Sequence, residues 1–300
     1  MRKSLTTVCL TSFGFLSFAS AALAGPNDIT LQRFVGLEQT TDSGGRVILR
    51  AAPNEAGFRD FARDLGLVFT PKLATSPETL GQAGFAFQID QSVSLVDNNS
   101  DHWVAGSLSG DPAGSIQSTA FRFRKGLPFS LELGGAYTAL WKSELMAVGT
   151  ELRWAPTEDM LWPVPDVAFR GYVNTVLGDQ QLNLTTAGFD VVVGVPIGIG
   201  NVMNISPYAG YNAAIVISSS RLIDATPEDL TPPFELTPNA STPPGTIISN
   251  QPEAVFDVDS ELVHQGMFGV RFEFAVLNAN FQGLFSSSVQ SYTFSLGANF

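Results

Sequence analysis

The last ten residues, 291–300, alternate without a break. Tyr292, Phe294, Leu296, Ala298 and Phe300 are apolar, and Ser291, Thr293, Ser295, Gly297 and Asn299 between them are small and polar. Successive side chains of a strand point to opposite faces, so this segment has one greasy face and one small polar face. The same period of two recurs upstream. Phe85, Phe87 and Ile89 face away from Gln88 and Asp90. Phe121 and Phe123 alternate with Arg122 and Arg124, and Phe129, Leu131 and Leu133 with Ser130, Glu132 and Gly134. Phe189, Val191, Val193 and Val195 alternate with Asp190 and Gly194, and Phe268, Val270, Phe272 and Phe274 with Gly269, Arg271 and Glu273. The pattern predicts strands near 82–97, 116–126, 128–140, 145–155, 164–178, 181–196, 202–218, 261–275, 277–287 and 290–300. Each approaches the ~9–11 residues that a tilted strand needs to cross a bilayer.

The closing segment, ending on Phe300, resembles the last strand of Gram-negative outer-membrane β-barrel proteins. The resemblance implies an outer-membrane location, an assembly signal in Tyr292, Phe294 and Phe300, and barrel-assembly machinery and outer-membrane lipid as partners. It names no substrate. The expected fold is all-β, a transmembrane antiparallel up-and-down barrel of about ten strands over 81–300, with eight or twelve also compatible. A soluble β-sandwich alternates in the same way, but long Phe-rich faces on nearly every strand are hard to hide in water.

The start of the chain is consistent with export. Arg2 and Lys3 precede a mostly apolar, small-residue run, and Ala22-Leu23-Ala24 gives an A-x-A cleavage pattern, so 1–24 is read as a signal peptide. Cys9, the single cysteine, leaves with it, so no disulfide or thiolate is expected in the mature chain. The 28 glycines and 23 phenylalanines suit tight turns and lipid-facing strands. No later stretch approaches ~18 uninterrupted apolar residues, so no membrane helix is expected. Losing Arg2 and Lys3 takes the net charge from −12 to −14, which speaks against nucleic acid as a partner.

An even strand number places both barrel termini in the periplasm. The two longest connections, 98–115 and 219–260, then fall outside the cell, as barrels with short periplasmic turns require; the periplasmic connection 156–163 is an exception, longer than usual. Trp103 and Trp141 are expected at external strand ends and Trp154 and Trp162 at periplasmic ends, as an aromatic girdle. Residues 25–80 do not read as wall. They are expected as a short periplasmic or plug-like segment with a helix, because Phe58, Phe61, Ala62 and Leu65 follow an i, i+3, i+4, i+7 pattern. The 219–260 loop, rich in proline, reads as extended: folded into the mouth, or shielding the surface.

If the Phe faces meet lipid, the opposite faces carry Asp90, Arg122, Arg124, Glu132, Glu151, Arg153, Arg170, Asp190, Arg271 and Glu273 inward. An outward Arg at the bilayer midplane would cost about 2–4 kcal/mol, so alternation and electrostatics choose the same face. A mixed-sign lumen supports two readings. One is a narrow pore or facilitator for a small polar solute. The other is a closed structural or surface-interaction barrel, with Arg122 or Arg124 paired to Glu132 and Arg271 to the neighbours of Glu273.

An enzyme is a third reading and is not expected. The only histidines, His102 and His264, would have to converge above the mouth, and no barrel protease or deacylase motif is matched. Asp97-Asn98-Asn99-Ser100-Asp101 has alternating oxygen ligands but lacks the glycine and distal glutamate of a calcium loop. No metal or cofactor is expected.

Overall fold

A computed structural model describes residues 25–300 apart from 26, 42, 46, 159–164, 201–202, 225–246 and 252. In chain order the elements begin with a 3-10 turn (Gln32–Phe34), β1 (Val35–Thr41), β2 (Val47–Pro53), α1 (Glu55–Phe69), β3 (Phe85–Leu95) and α2 (Asp101–Gly106). Then follow β4 (Ser115–Leu127), β5 (Leu131–Leu140), β6 (Met146–Trp154), β7 (Asp166–Leu177), β8 (Leu182–Gly194), β9 (Ile197–Ile199) and β10 (Met203–Ser220). The chain finishes with β11 (Ile223–Asp224), β12 (Ile247–Gln251), β13 (Glu253–Ala254), β14 (Asp259–Phe274), β15 (Leu277–Phe285) and β16 (Gln290–Asn299).

Ten of these strands, β3 to β8, β10 and β14 to β16, pair antiparallel in one closed ring. It closes twice over: β10 pairs with β14 across the long connection, and β16 pairs with β3, from Gln290 opposite Leu95 to Asn299 opposite Ala86. Closure leaves no unpaired edge, which is what a spanning sheet needs in hydrocarbon. β9 lies outside the ring against β10, and β12 runs parallel to β2 in a small sheet ordered β1-β2-β12.

The predicted strand limits agree with the observed ones to within a few residues. Phe129 departs from its expected place in the wall. Phe129 and Ser130 both have positive φ and form the β4–β5 turn. Among the described residues no helix is long and apolar enough to cross a membrane.

Burial follows the period of two. Phe87, Phe121, Phe268, Phe281 and Phe294 are exposed on the outside of the ring, while Gln88, Asp90, Arg122, Gln282 and Thr293 are buried inside it. One rim, here the terminal rim, carries Phe300, whose backbone exchanges hydrogen bonds with Phe85 at 2.8 and 2.9 Å. The opposite rim carries the long connections 96–114 and 221–258, and is called the loop rim.

Toward the loop rim the inward side chains change character. Val96, Ile116, Leu140, Val176, Leu184, Val216, Val263 and Val289 are buried and apolar. They receive the apolar face of α1, with Phe58, Phe61, Ala62 and Leu65 buried. The barrel therefore has two interiors: a greasy one under the loop rim and a polar one below it.

Candidate functional site

Residues 25–84 lie partly on the loop rim and partly inside the ring. Asn27 is held to the β5–β6 turn, with its side chain donating to Trp141 O at 2.7 Å. Glu144 N donates to Asp28 Oδ1 at 3.0 Å, and Ile29 bridges to Ser107 after α2. Phe34, Phe58, Phe61 and Phe256 form an aromatic cluster, with Phe58 stacked on Phe256 at 4.3 Å. Phe256 belongs to the 219–260 connection, so the described part of that loop folds into this cap. Residues 225–246 lie outside the described residues.

From Phe69 the chain descends through the lumen. A non-helical segment without a strand partner must satisfy its backbone polar groups elsewhere. The wall does so. Asn174 donates to Phe69 O at 2.9 Å. Arg170 donates to Pro71 O at 2.9 Å and Lys72 O at 3.1 Å, and Arg122 to Lys72 O and to Leu73 O at 3.0 Å. Gln88 donates to Ala74 O at 2.9 Å, and Arg153 to Ser76 O at 2.9 Å and Glu78 O at 2.6 Å. Arg271 reaches the Thr75 and Ser76 hydroxyls at 3.0 and 3.2 Å. Leu80 N donates to Glu132 at 3.2 Å and Thr79 N to Glu158 at 2.8 Å, near the terminal rim. Lys72 turns back and donates to Leu67 O at 3.0 Å and Val68 O at 3.4 Å, at the C-terminal end of α1, where a cation suits the helix dipole.

The ten charges expected inside are placed as follows. Asp90, Arg122, Arg124, Glu132, Glu151, Arg153, Arg170, Asp190 and Arg271 are buried in the lumen, and Glu273 is partly buried at the terminal rim. Arg124 and Arg153 share Glu132 at 3.1 and 3.0 Å. Arg122 pairs with Asp90 at 3.1 Å and Glu151 at 3.3 Å. Arg170 pairs with Glu151 at 2.8 Å and with Asp190, and Arg271 pairs with Glu273 itself. Arg153 and Arg170 sit directly opposite each other across β6 and β7, and tolerate this because each turns to its own acids. Buried guanidinium groups need such pairing, and the terminal nitrogens of Arg122, Arg153 and Arg170 also serve carbonyls of 71–78, while the Nε of Arg122, Arg124, Arg153 and Arg271 has no hydrogen-bond partner among the described residues.

One expectation needs correction. Trp103 is no girdle residue. It is buried in α2, packs edge-on against Phe61 at 5.2 Å, and points its ring nitrogen at Asp64 Oδ2, 3.3 Å away. Trp141 and Trp154 are exposed at the loop rim and terminal rim respectively, and Trp162 lies outside the described residues. The two histidines do not converge. His102 lies in the cap, 3.0 Å from Asp64 Oδ2, whereas His264 stacks on Tyr211 on the outer face. Among the described residues no three metal-ligating side chains come together, and Asp97 Oδ1 accepts from Asn99 N within an ordinary turn. Tyr292 packs against Phe285 and Phe300 stacks on Phe85, while Phe294 faces outward at mid-strand.

Sequence reasoning left the place of 25–80 open between a periplasmic and a plug-like segment, and missed the apolar upper lumen. A signal for the latter exists: 213–217 reads Ala-Ala-Ile-Val-Ile, apolar on both faces, where a strand with a wet lumen would alternate.

No family model matches this chain, and no curated protein matches it. Among solved structures it is similar to Ail, the attachment invasion locus protein of Yersinia pestis, with 10% identity over 73% of this chain and 99% of that one and a TM-score of 0.29. It is similar to a KdgM porin, with 5% identity, 71% and 99% coverage and a TM-score of 0.28. An outer-membrane channel from Pseudomonas putida F1 gives 8% identity, 77% and 99% coverage and a TM-score of 0.31. At such identities and scores the fold rests on this chain's own strand pairing. With a closed ten-stranded antiparallel ring and an apolar outer face, it is a β-barrel protein of the outer-membrane type.

Proposed function

We propose that this protein is an outer-membrane barrel closed at rest by its own chain, acting as a structural or surface-interaction barrel through the cap on its loop rim. The observation that carries this reading is the seating of residues 71–78: Arg122, Arg153 and Arg170 each donate to two of their backbone carbonyls. The same guanidinium groups hold the wall's carboxylates. Displacing the segment would leave six contacts to five buried or part-buried carbonyls unmade, and each buried group left unsatisfied costs about 1–3 kcal/mol.

A narrow pore for small polar solutes is the second reading, and it requires 70–84 to move. Ser206 Oγ, Gln265 Oε1 and Ser295 Oγ on one side of the lumen have no hydrogen-bond partner among the described residues, and a hydrated path would follow that side. The test is single-channel conductance of the refolded mature chain in a planar bilayer, beside the double variant Arg122→Ala/Arg170→Ala. The closed reading expects a silent parent and flickering openings in the variant. Steady openings of the parent would overturn it and make transport the working function.

A further inference from the structure

The strongest unexplained observation is the direction in which the chain runs through its own barrel. The cap residues 25–69 sit on the loop rim, tied to the β5–β6 turn and to α2. Residues 70–84 then pass inward, and β3 begins on the terminal rim beside Phe300. Fifteen extended residues reach about 50 Å, enough to cross a hydrocarbon core of ~30 Å. The contacts run in order along this path: Asn174, Arg170 and Arg122 meet 69–73, Arg271 and Arg153 meet 75–78, and Glu132 and Glu158 meet 79–80.

Sides follow from connection lengths. The terminal rim carries the turns 128–130 and 275–276 and the longer connections 155–165 and 195–202, while the two longest connections, 96–114 and 221–258, lie on the loop rim beside three short turns. Short turns face the periplasm and long loops the exterior. From this we infer a further activity: the barrel delivers its own N-terminal segment, some 45 residues of polypeptide, to the outer surface and displays it there as the folded cap, tethered through the lumen. This rests on the outer-membrane placement in the proposed function, but not on closure.

The order of events follows from size. A helix with side chains is about 10–12 Å across, and small barrels have interiors that side chains fill. The folded cap, a helix with a β-hairpin, does not fit through this lumen. Its aromatic core also needs Phe256 and Trp103, which belong to the loop rim. Residues 25–69 therefore cross unfolded, or before the ring closes around 70–84, and fold only on arrival.

The test uses the full chain in intact cells. The single native cysteine, Cys9, lies in the expected signal segment, so single cysteines are introduced by Glu38→Cys on exposed β1, Glu55→Cys at the start of α1, Asn99→Cys in the first long loop, and Gln82→Cys on the terminal rim. A membrane-impermeant maleimide is expected to label Glu38→Cys and Glu55→Cys as fully as Asn99→Cys. Gln82→Cys should label only once the outer membrane is permeabilised. Two cap positions guard against one variant failing to assemble. Cap cysteines that label only after permeabilisation, beside an Asn99→Cys that labels in intact cells, would overturn the inference. A conducting barrel with labelled cap cysteines would remove closure and leave display standing. A silent barrel with protected cap cysteines would do the reverse.

Discussion

Asp64 shows what one buried carboxylate does for the cap. It is 3% exposed, with Oδ1 accepting from Arg63 Nε at 2.9 Å and Oδ2 close to His102 and Trp103. Burial alone would raise its pKa, but the contacts to His102 and Arg63 outweigh this and hold it below the ordinary 3.8. A carboxyl whose folded pKa is depressed contributes stability that is present above the unfolded value. That contribution is lost as pH falls through the folded one. Docking of the cap should therefore persist down to about pH 4 and weaken below it. Asp64→Asn should flatten that acid limb in melting curves followed against pH. Equal acid limbs in the two proteins would show that Asp64 does not link α1 to α2.

At the scale of elements, α1 is the piece that must fit the mouth. Asn54 starts it, its side chain accepting from Gly57 N at 3.0 Å. One apolar face meets the ring of inward valines and leucines, and Gly66 allows the closest approach. A Cβ at Gly66 would come 2.6 Å from Val216 Cγ1 and 3.3 Å from Thr186 Cγ2. Gly66→Ala gains about 1 kcal/mol of helix propensity, but Val216 is β-branched and fixed in the wall, so it gives little. Gly66→Val should lift the helix and destabilise the protein by about 1–3 kcal/mol. Val216→Ala in the same chain should restore part of that loss. Urea unfolding in lipid vesicles reads both, and additive effects would mean that the two positions do not touch.

The whole molecule arranges its polarity in two directions. Across the wall, Phe281 on the outer face at the middle of β15 lies between Asn280 and Gln282, which are buried inside. Phe281→Arg should cost about 2–4 kcal/mol if that face meets hydrocarbon, with Phe281→Leu costing far less. Similar losses for both, measured in vesicles, would remove lipid from that face. Along the axis, the interior passes from charged to apolar, with buried charged side chains below and buried apolar ones under the loop rim. One chain meets both: extended backbone where the wall offers guanidinium donors, and a helix where it offers methyl groups.

The alternation of Phe with Arg, Glu, Gly and Ser by itself determined the strands and their two faces, while the count of ten, against eight or twelve, was decided by closure of the ring. Strands and faces are local consequences of a side-chain period of two, legible without knowing which strand pairs with which. The i, i+3, i+4, i+7 spacing of Phe58, Phe61, Ala62 and Leu65 likewise determined a helix, because amphipathicity is written along the chain. What fills the lumen was decided only by the tertiary structure. Residues 70–84 carry no periodicity, since backbone groups of 71–80 are satisfied by side chains of distant strands and turns, Arg122, Arg153 and Arg170 among them. The place of Trp103 was decided the same way: in sequence it is an aromatic near a strand end, and only the arrival of Phe61 and Asp64 from the cap makes it buried. Periodicity records which face a residue belongs to. Partners separated by a hundred residues are fixed by closure of the ring, which brings side chain and carbonyl together with no trace in local spacing.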